Sequence, residues 1–209
     1  MGVAVSGSET ARKALPHLAV RAALARGYRW LRHVPERLAH SSYRASAIAS
    51  LGAGQTPQRV LYICLGNVCR SPYAEAASRR DAALWSSPAP AWCSAGFIGP
   101  NRPPPPLAMQ VATARGAPLD AHRSRLVTRE LVLESDLIVV MEAYQAEELA
   151  TRYDRRRGVV VLGDFDPRWM STRTIPDPWD KAHQDFVASY ERIDRCLAAL
   201  AASIIAPES

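Results

Sequence analysis

The sequence predicts a three-layer α/β fold, with a four-stranded parallel sheet between helices on both of its faces. Four short apolar runs rich in β-branched residues, each too short for a helix, recur between residues 60 and 162. Longer stretches with helical spacing of apolar residues lie between and after them. Strands that alternate with helices pair in parallel, because each helix carries the chain back across a face of the sheet.

The elements are predicted in the following order along the chain. The four strands are residues 60–63, 91–94, 137–141 and 159–162. The helices are residues 72–84, 107–115, 128–133, 143–153 and 180–204. Residues 103–106 are four consecutive prolines, and they are predicted to form a rigid connector just before a helix. With 150 residues after position 59, this part of the chain is long enough for one buried core.

Residues 1–58 are predicted to be a basic N-terminal extension, partly helical or disordered, ahead of a separate domain at residues 59–209. Residues 1–59 carry nine Lys or Arg and two Glu, a net charge of +7, whereas residues 60–209 carry seventeen basic and eighteen acidic side chains, a net charge of −1. Because the excess positive charge lies in the extension, the basicity of the chain does not indicate that the domain binds nucleic acid.

Within the extension, residues 11–40 fit a basic amphipathic helix interrupted near Pro16, and residues 41–58 are predicted to be a flexible linker. Three interpretations of the extension stay open. It docks on an anionic membrane or a partner, it is an organellar targeting peptide, or it is a tail without specific use.

A phosphate-binding loop is predicted directly after the first strand. That strand delivers Cys64 to the carboxyl edge of the sheet, where open α/β folds bind ligands. Gly66 and Asn67 tolerate unusual backbone angles, so the following amides can turn toward one centre and bind an oxyanion. Ser71 as helix N-cap and Pro72 as first helical residue would point the positive end of a helix at the same centre.

Arg70 completes the predicted cradle, because its planar guanidinium can hold two oxygens of a phosphate. Positive groups of this kind favour the thiolate form of a nearby cysteine, so Cys64 is predicted to be a nucleophile toward phosphorus. The residues predicted to contact the phosphoryl group from this loop are Leu65, Gly66, Asn67, Val68, Cys69 and Ser71.

Residues 64–72 resemble the active-site loop of the low-molecular-weight protein tyrosine phosphatases of the bacterial type. Further segments that resemble this family lie at residues 94–96, 135–141 and 175–179, so the resemblance spans residues 59–201. It implies a flavodoxin-like fold and a catalytic domain that hydrolyses phosphotyrosine and small aryl phosphates through a cysteinyl-phosphate intermediate.

Asp177 is the predicted general acid. A phenolate leaves slowly at neutral pH unless a carboxylic acid protonates it, and the same carboxylate can then activate the water that hydrolyses the intermediate. Pro178 favours an extended or turn geometry for Asp177. An Asp-Pro pair alone is also typical of a surface turn, so this prediction depends on its pairing with the loop at Cys64. The predicted catalytic residues are therefore Cys64, Arg70 and Asp177.

Trp179 is predicted to form one wall of a slot that admits phosphotyrosine and excludes the shorter phosphoserine. Here the sequence departs from the commonest family pattern, which has tyrosine after the proline. Asp180 either places a negative charge at the rim, disfavouring acidic peptides, or caps the following helix. Leu65 and Phe97 are candidates for the opposite wall, and Phe97 fits a core position equally well.

The cysteines carry two further predictions. Cys69 either traps an oxidised Cys64 as a reversible disulfide or lines the loop as a small buried residue. Cys93 and Cys196 are predicted to be core residues. Four cysteines in 209 residues are too few for a disulfide scaffold, which indicates a reducing compartment. Because no apolar run is long enough to span a membrane either, the protein is predicted to be cytoplasmic.

No group of cysteines and histidines has the spacing of a zinc site, so neither a metal nor a cofactor is expected. A basic group at His122, Arg123 and Arg125 precedes the third strand. It fits either a solvated surface or a position near the pocket.

The expected partner is a phosphotyrosine-protein substrate, with a bacterial tyrosine kinase of exopolysaccharide production as the candidate that the resemblance implies. Two alternatives stay open. A thiol-dependent arsenate reductase of the same fold would need two further cysteines on a mobile segment, whereas Cys93 and Cys196 lie in predicted core elements. A non-catalytic phosphotyrosine-binding or membrane-adaptor module would depend on the extension, and an intact set of Cys64, Arg70 and Asp177 argues against it.

Overall fold

The computed structural model describes residues 39–51 and 56–205. The helices are α1 His40–Ser50, α2 Arg70–Arg80, α3 Pro106–Ala114, α4 Arg129–Glu134, α5 Ala143–Tyr153 and α6 His183–Ile205. The strands are β1 Arg59–Cys64, β2 Ala91–Gly96, β3 Leu137–Val140 and β4 Val159–Val161. Short 3₁₀ helices lie at Ala82–Leu84 and Leu162–Phe165.

The four strands form one parallel sheet in the order β2-β1-β3-β4. This confirms the predicted fold class. Strand β1 lies in the middle, and its last residue, Cys64, is in register with Gly96 at the end of β2. The active edge of the sheet is therefore built from the carboxyl ends of β1, β2 and β3.

Alternate residues of β1 face opposite sides of the sheet, and both sides are covered by helices. Val60 and Tyr62 belong to a larger core cluster that includes residues of α1, α2, α3 and α6. Leu61 and Ile63 belong to a smaller cluster that includes residues of α4 and α5. Because both faces of the sheet are buried, the strand reads as a continuous apolar run in the sequence.

Helix α2, which follows the predicted phosphate loop, is fixed against α6 by a stacked pair of tyrosines. The rings of Tyr73 and Tyr190 lie parallel, with their centroids 3.8 Å apart. The hydroxyl of Tyr190 donates to the carbonyl of Cys69 at 3.3 Å. Tyr190 of α6 therefore anchors the N-terminal end of α2 to the core.

Residues 41–58 were predicted to be a flexible linker, and this prediction was wrong for residues 41–50, which belong to α1. Ala47 is buried in the larger core cluster, and Ile48 and Leu51 pack against that cluster. The apolar face of α1 is narrow and consists mainly of small side chains, so its sequence gives a weak amphipathic signal. The helix predicted at residues 11–40 lies, apart from its last two residues, outside the described residues.

Among the described residues, no helix combines the length and the apolarity that crossing a membrane requires.

Candidate active site

Cys64 stands at the carboxyl end of β1, with only 3% of its surface exposed. Its sulfur lies 3.1 Å from the hydroxyl oxygen of Ser71. The backbone N–H of Asn67 donates to the same sulfur at 3.2 Å. Hydrogen-bond donors directed at one atom stabilise negative charge there, so this position suits a nucleophile that becomes a leaving group later.

Asn67 holds the loop in shape from behind the cysteine. Its φ of 50° lies in the left-handed region, which asparagine tolerates better than most residues. Its side-chain amide donates to the hydroxyls of Ser71 and Ser94 at 3.0 and 2.9 Å. Its side-chain oxygen accepts the backbone N–H of Arg125 at 2.9 Å. Asn67 is thus a buried support of the loop rather than part of the pocket lining.

His122 also supports the loop, whereas Arg123 and Arg125 of the same basic group are exposed. Nε2 of His122 lies 2.8 Å from the backbone carbonyl of Asn67. Because a carbonyl only accepts, Nε2 must carry the hydrogen of this bond. Burial lowers the pKa of His122, which favours the neutral ring with its proton on Nε2.

Ser71 is not the helix N-cap that the sequence suggested. Helix α2 begins at Arg70, and Cys69 occupies the N-cap position without a capping side chain. The hydroxyl of Ser71 instead serves Cys64 and Asn67, and it approaches the carbonyl of Ala95 at 3.3 Å. Ser71 therefore contacts the sulfur of Cys64 and does not cap helix α2.

The approach of β2 to the loop requires glycine at position 96. A Cβ atom there would lie 2.8 Å from the backbone nitrogen of Asn67 and 2.8 Å from the carbonyl oxygen of Leu65. Both are main-chain atoms that cannot move aside without breaking the loop. Gly66 and Asn67 were both expected to tolerate unusual backbone angles, but of these two residues only Asn67 adopts a positive φ.

Arg70 is almost completely buried, with 1% of its surface exposed, and carboxylates bind it on two sides. Its Nη1 donates to Glu142 at 2.7 Å and to the carbonyl of Ile175 at 3.0 Å. Its Nη2 donates to Asp177 at 2.5 Å. Among the described residues, its Nε has no hydrogen-bond partner. A buried guanidinium N–H without an acceptor is costly, and a phosphoryl oxygen would supply one.

These contacts define how Arg70 would hold a phosphoryl group. Nη1 is already shared between Glu142 and Ile175. The donors left are Nε and the second N–H of Nη2, which lie side by side on one edge of the guanidinium. Such an edge matches two oxygens of a phosphate. The sequence reasoning missed Glu142, although it directly follows Met141 at the carboxyl edge of the sheet, where functional groups gather.

Asp177 lies at the mouth of the site, and the surrounding segment is fastened to the domain. Its second carboxylate oxygen accepts the N–H of Trp179 at 3.2 Å. The N–H of Ile175 donates to the carbonyl of Met141 at 3.0 Å, and the hydroxyl of Ser189 donates to the carbonyl of Pro176 at 2.9 Å. The carboxyl is 39% exposed, so it can meet a substrate from solvent.

A pocket of about 190 Å³ joins these parts. Its lining residues are Cys64, Leu65, Gly66, Val68, Cys69, Ile98, Arg102, Asp177 and Trp179. Leu65 and Trp179 are thus part of the pocket lining. Phe97 is not, because it packs against the smaller core cluster and the guanidinium of Arg152 at 5.5 Å.

Arg102 is a cation at the pocket that the sequence reasoning did not single out. Its Nη2 donates to the carbonyl of Gly66 at 2.9 Å, and its Nε donates to the carbonyl of Gly99 at 2.9 Å. Its guanidinium carbon lies 5.9 Å from the ring centroid of Trp179. Asp180 next to this ring adopts a φ of 57°, and α6 begins only at His183, so Asp180 is not a helix cap.

Cys69 is buried beside Cys64 in the same pocket. Burial raises the pKa of Cys69, and the negative charges of Asp177 and Cys64 raise it further. Cys69 is therefore held as a neutral thiol. Cys93 lies in β2, and Cys196 lies in α6, where burial raises its pKa to about 12. Neither lines the pocket.

A family model described as low molecular weight phosphotyrosine protein phosphatase matches residues 59–208. The chain belongs to this family. The predicted resemblance is thus confirmed, and membership makes the chain a hydrolase of the protein-tyrosine-phosphatase class.

Relatives of this phosphatase family cover the same part of the chain. The probable low molecular weight protein-tyrosine-phosphatase EpsP of Ralstonia nicotianae is 35% identical over 139 residues, which are 65% of this chain and 88% of EpsP. The phosphatase Wzb of Salmonella typhimurium is 35% identical over 140 residues, 66% of this chain and 87% of Wzb. The structure of Vibrio vulnificus Wzb in complex with benzylphosphonate has a TM-score of 0.60 and 30% identity, covering 69% of this chain and 97% of that one.

Proposed function

We propose that this phosphatase hydrolyses phosphotyrosine in proteins, and small aryl phosphates, with Cys64 carrying the phosphoryl group between two steps. The observation that carries the proposal is that one pocket contains both Cys64 and Asp177, with Nη2 of Arg70 only 2.5 Å from that carboxylate. A nucleophile, a phosphate-binding guanidinium and an acid then lie within reach of one phosphoryl group.

In the first step the sulfur of Cys64 attacks phosphorus, an S–P bond forms, and the bond between phosphorus and the phenolic oxygen breaks. Arg70 binds two phosphoryl oxygens through Nε and Nη2 and stabilises the charge of the transition state. Asp177 enters this step as the carboxylic acid and gives its proton to the departing phenolate, which leaves Asp177 as the carboxylate that the second step needs.

In the second step the carboxylate of Asp177 takes a proton from a water molecule, whose oxygen attacks phosphorus. The S–P bond breaks, and its electron pair returns to the sulfur of Cys64. The hydroxyl of Ser71 and the N–H of Asn67 lie 3.1 and 3.2 Å from that sulfur and stabilise the thiolate as it leaves.

The walls of the pocket support an aryl substrate. Leu65, Ile98 and Trp179 surround the entrance with apolar surface, and a flat ring fits between such walls. A phosphoserine is too short to carry its phosphate past them to the loop. The benzylphosphonate held by the Vibrio vulnificus relative is likewise a phosphonate attached to an aromatic ring through one carbon.

We further propose that the physiological substrate is a bacterial tyrosine kinase of exopolysaccharide production and that the protein works in the cytoplasm. The support is the resemblance of residues 175–178 to the bacterial branch of the family. The alternative of arsenate reduction has less support, because Cys93 and Cys196 lie in a strand and a helix away from the pocket.

The test is hydrolysis of aryl phosphates by the purified full-length chain. Cys64→Ser is expected to abolish turnover, whereas Cys93→Ser, outside the pocket, keeps it. Asp177→Asn is expected to lower kcat/KM about 100-fold or more for phenyl phosphate and much less for a nitro-substituted phenyl phosphate, whose phenolate leaves without help. Equal losses for both substrates would remove Asp177 from the role of acid, and full activity of Cys64→Ser would remove Cys64 from that of nucleophile.

A further inference from the structure

We propose that helix α1, which precedes the part of the chain that the phosphatase family defines, positions the acid loop. The acid loop is here residues 172–177, which end at Asp177. This inference rests on the proposed role of Asp177 as the acid. The family match begins at residue 59, whereas α1 ends at Ser50, so α1 lies outside the residues that the family model matches.

The first part of the argument is that α1 is fastened to the catalytic domain. Ala47 is 7% exposed, and Ile48 and Leu51 pack on the larger core. The guanidinium Nη1 of Arg44 donates to the backbone carbonyl of Phe165 at 2.8 Å. Phe165 is fully buried at the end of the 3₁₀ helix that follows β4. The helix is therefore docked by both apolar and polar contacts.

The second part is that Tyr43 of α1 contacts the side chain of Arg173 in the acid loop. The guanidinium of Arg173 lies over the ring of Tyr43, 4.0 Å from its centroid, which is a close cation–π contact. The same guanidinium makes two hydrogen bonds of 2.7 Å to the carboxylate of Asp164. That carboxylate is 3% exposed. Tyr43 thus covers one face of the Arg173 guanidinium, and Asp164 binds the edge of the same group.

The third part is that α6 holds several backbone carbonyls of the acid loop. Arg192 donates to the carbonyls of Thr172 and Thr174, at 2.7 Å each. Ser189 donates to the carbonyl of Pro176 at 2.9 Å. The backbone carbonyls of the loop are therefore held by α6, whereas the side chain of Arg173 is held by Tyr43 of α1 and by Asp164. Arg173 is four residues from Asp177, so a change in how Arg173 is held reaches Asp177 through a short segment.

The loop carries Asp177, whereas Cys64 follows β1, and Arg70 is held by Glu142 as well as by the carbonyl of Ile175 in the loop. Loosening the loop from the α1 side should therefore affect protonation of the leaving group more than attack on phosphorus. A misplaced acid lowers the rate only where the leaving group needs a proton. From the strength of a partly exposed cation–π contact, the expected loss is about 3- to 10-fold.

The experiment uses the full chain and the variant Tyr43→Ala, with Ser42→Ala as the matched control. Ser42 is exposed on the side of α1 that faces away from the domain. We expect Tyr43→Ala to lower kcat/KM for phenyl phosphate about 3- to 10-fold and to change that for a nitro-substituted phenyl phosphate less than twofold. Tyr43→Phe, which keeps the ring, should restore the wild-type ratio of the two values, and Ser42→Ala should match the wild type throughout.

Hydrogen exchange supplies a readout that does not require turnover. The amides of Arg173, Thr174 and Ile175 are expected to exchange faster in Tyr43→Ala than in Ser42→Ala, while those of β1 stay unchanged. Unchanged exchange in the loop, or an equal loss of activity on both substrates, would overturn the inference. Absence of aryl phosphate hydrolysis in the wild type would contradict the proposed function instead, and exchange would still decide whether α1 holds the loop.

Discussion

Replacing Glu142 by glutamine tests how the buried guanidinium of Arg70 is positioned. Glu142 accepts a hydrogen bond from Nη1 of Arg70 at 2.7 Å, and it stands at the N-cap position of α5, where Gln145 accepts its N–H at 3.1 Å. Glutamine keeps the size and one oxygen of the side chain. The substitution thus removes the negative charge with little other change.

The expected loss follows from the contacts of Arg70. A hydrogen bond to a charged group contributes about 1.5–3 kcal/mol, which corresponds to about 10- to 150-fold in rate when it acts fully in the transition state. Nη1 keeps a second acceptor, the carbonyl of Ile175 at 3.0 Å, and position 142 keeps an amide oxygen. Because these acceptors remain, the loss should lie at the lower end of that range, and kcat/KM should fall about 10-fold.

The assay compares a series of aryl phosphates with leaving groups of different acidity. Because Arg70 touches the phosphoryl group and not the phenolate, the 10-fold loss should be the same across the series. Glu148→Gln is the matched control, since it removes the same charge from a partly exposed position of α5, where Glu148 pairs with Arg152. Activity of Glu142→Gln within twofold of the control would refute this account of Arg70, and so would a loss that grows as the leaving group becomes poorer.

Three further predictions concern other groups. Since burial raises the pKa of Cys69, iodoacetamide at pH 7 should alkylate Cys64 and leave Cys69 unmodified; peptide mapping that finds Cys69 alkylated first would contradict the assigned nucleophile. Arg102→Gln should lower kcat/KM about 3- to 10-fold for phosphotyrosine peptides with acidic flanks at low salt, with a smaller effect at high salt and none for neutral flanks. Burial opposes ionisation of Asp166, but hydrogen bonds from Arg195 and from the N–H of Arg168 lower its pKa overall. A carboxyl whose pKa is lower in the folded chain adds stability above its unfolded value of about 3.9 and loses it as the pH falls through the folded value. Urea unfolding should therefore show Asp166→Asn to be less stable than the wild type by about 3–5 kcal/mol at pH 7. The difference in unfolding free energy between the two proteins should narrow below about pH 4, and a difference that does not change with pH would contradict this.

The sheet and the phosphate loop were predictable from the sequence because local patterns determine them. A run of four apolar residues with no polar break, such as that of β1, is typical of a strand covered on both faces. The order from strand to cysteine, arginine and helix places the loop at the carboxyl edge without knowledge of the rest of the chain. The predicted parallel alternation was likewise confirmed by the strand order.

The opposite wall of the pocket was not predictable, because the regular alternation of β2 stops at the site. The N–H groups of Phe97 and Ile98 both donate to the carbonyl of Leu65, at 2.8 and 3.1 Å. In a continuing strand, adjacent N–H groups point to opposite sides and do not share an acceptor. The chain therefore turns after Gly96, and the turn puts Ile98 rather than Phe97 against the pocket.

The hydrogen-bond partners of the buried charged groups could not be predicted from the sequence, for a more general reason. Glu142 is 72 residues from Arg70 in the sequence, and its contact depends on how β3 and α5 pack. The same holds for α1, whose link to Arg173 joins two segments that no local pattern connects. A strand or a loop motif can be read from a few adjacent residues, but a hydrogen-bond partner is chosen by the assembled fold.

Nη2 of Arg70 connects the phosphate site with the acid. One of its N–H groups binds Asp177 at 2.5 Å, and the other lies beside that of Nε on the edge that matches two oxygens of a phosphate. A phosphoryl group held on that edge therefore lies next to the carboxyl of Asp177. The same guanidinium thus places the substrate and the acid relative to each other, so one buried side chain serves both phosphate binding and proton transfer.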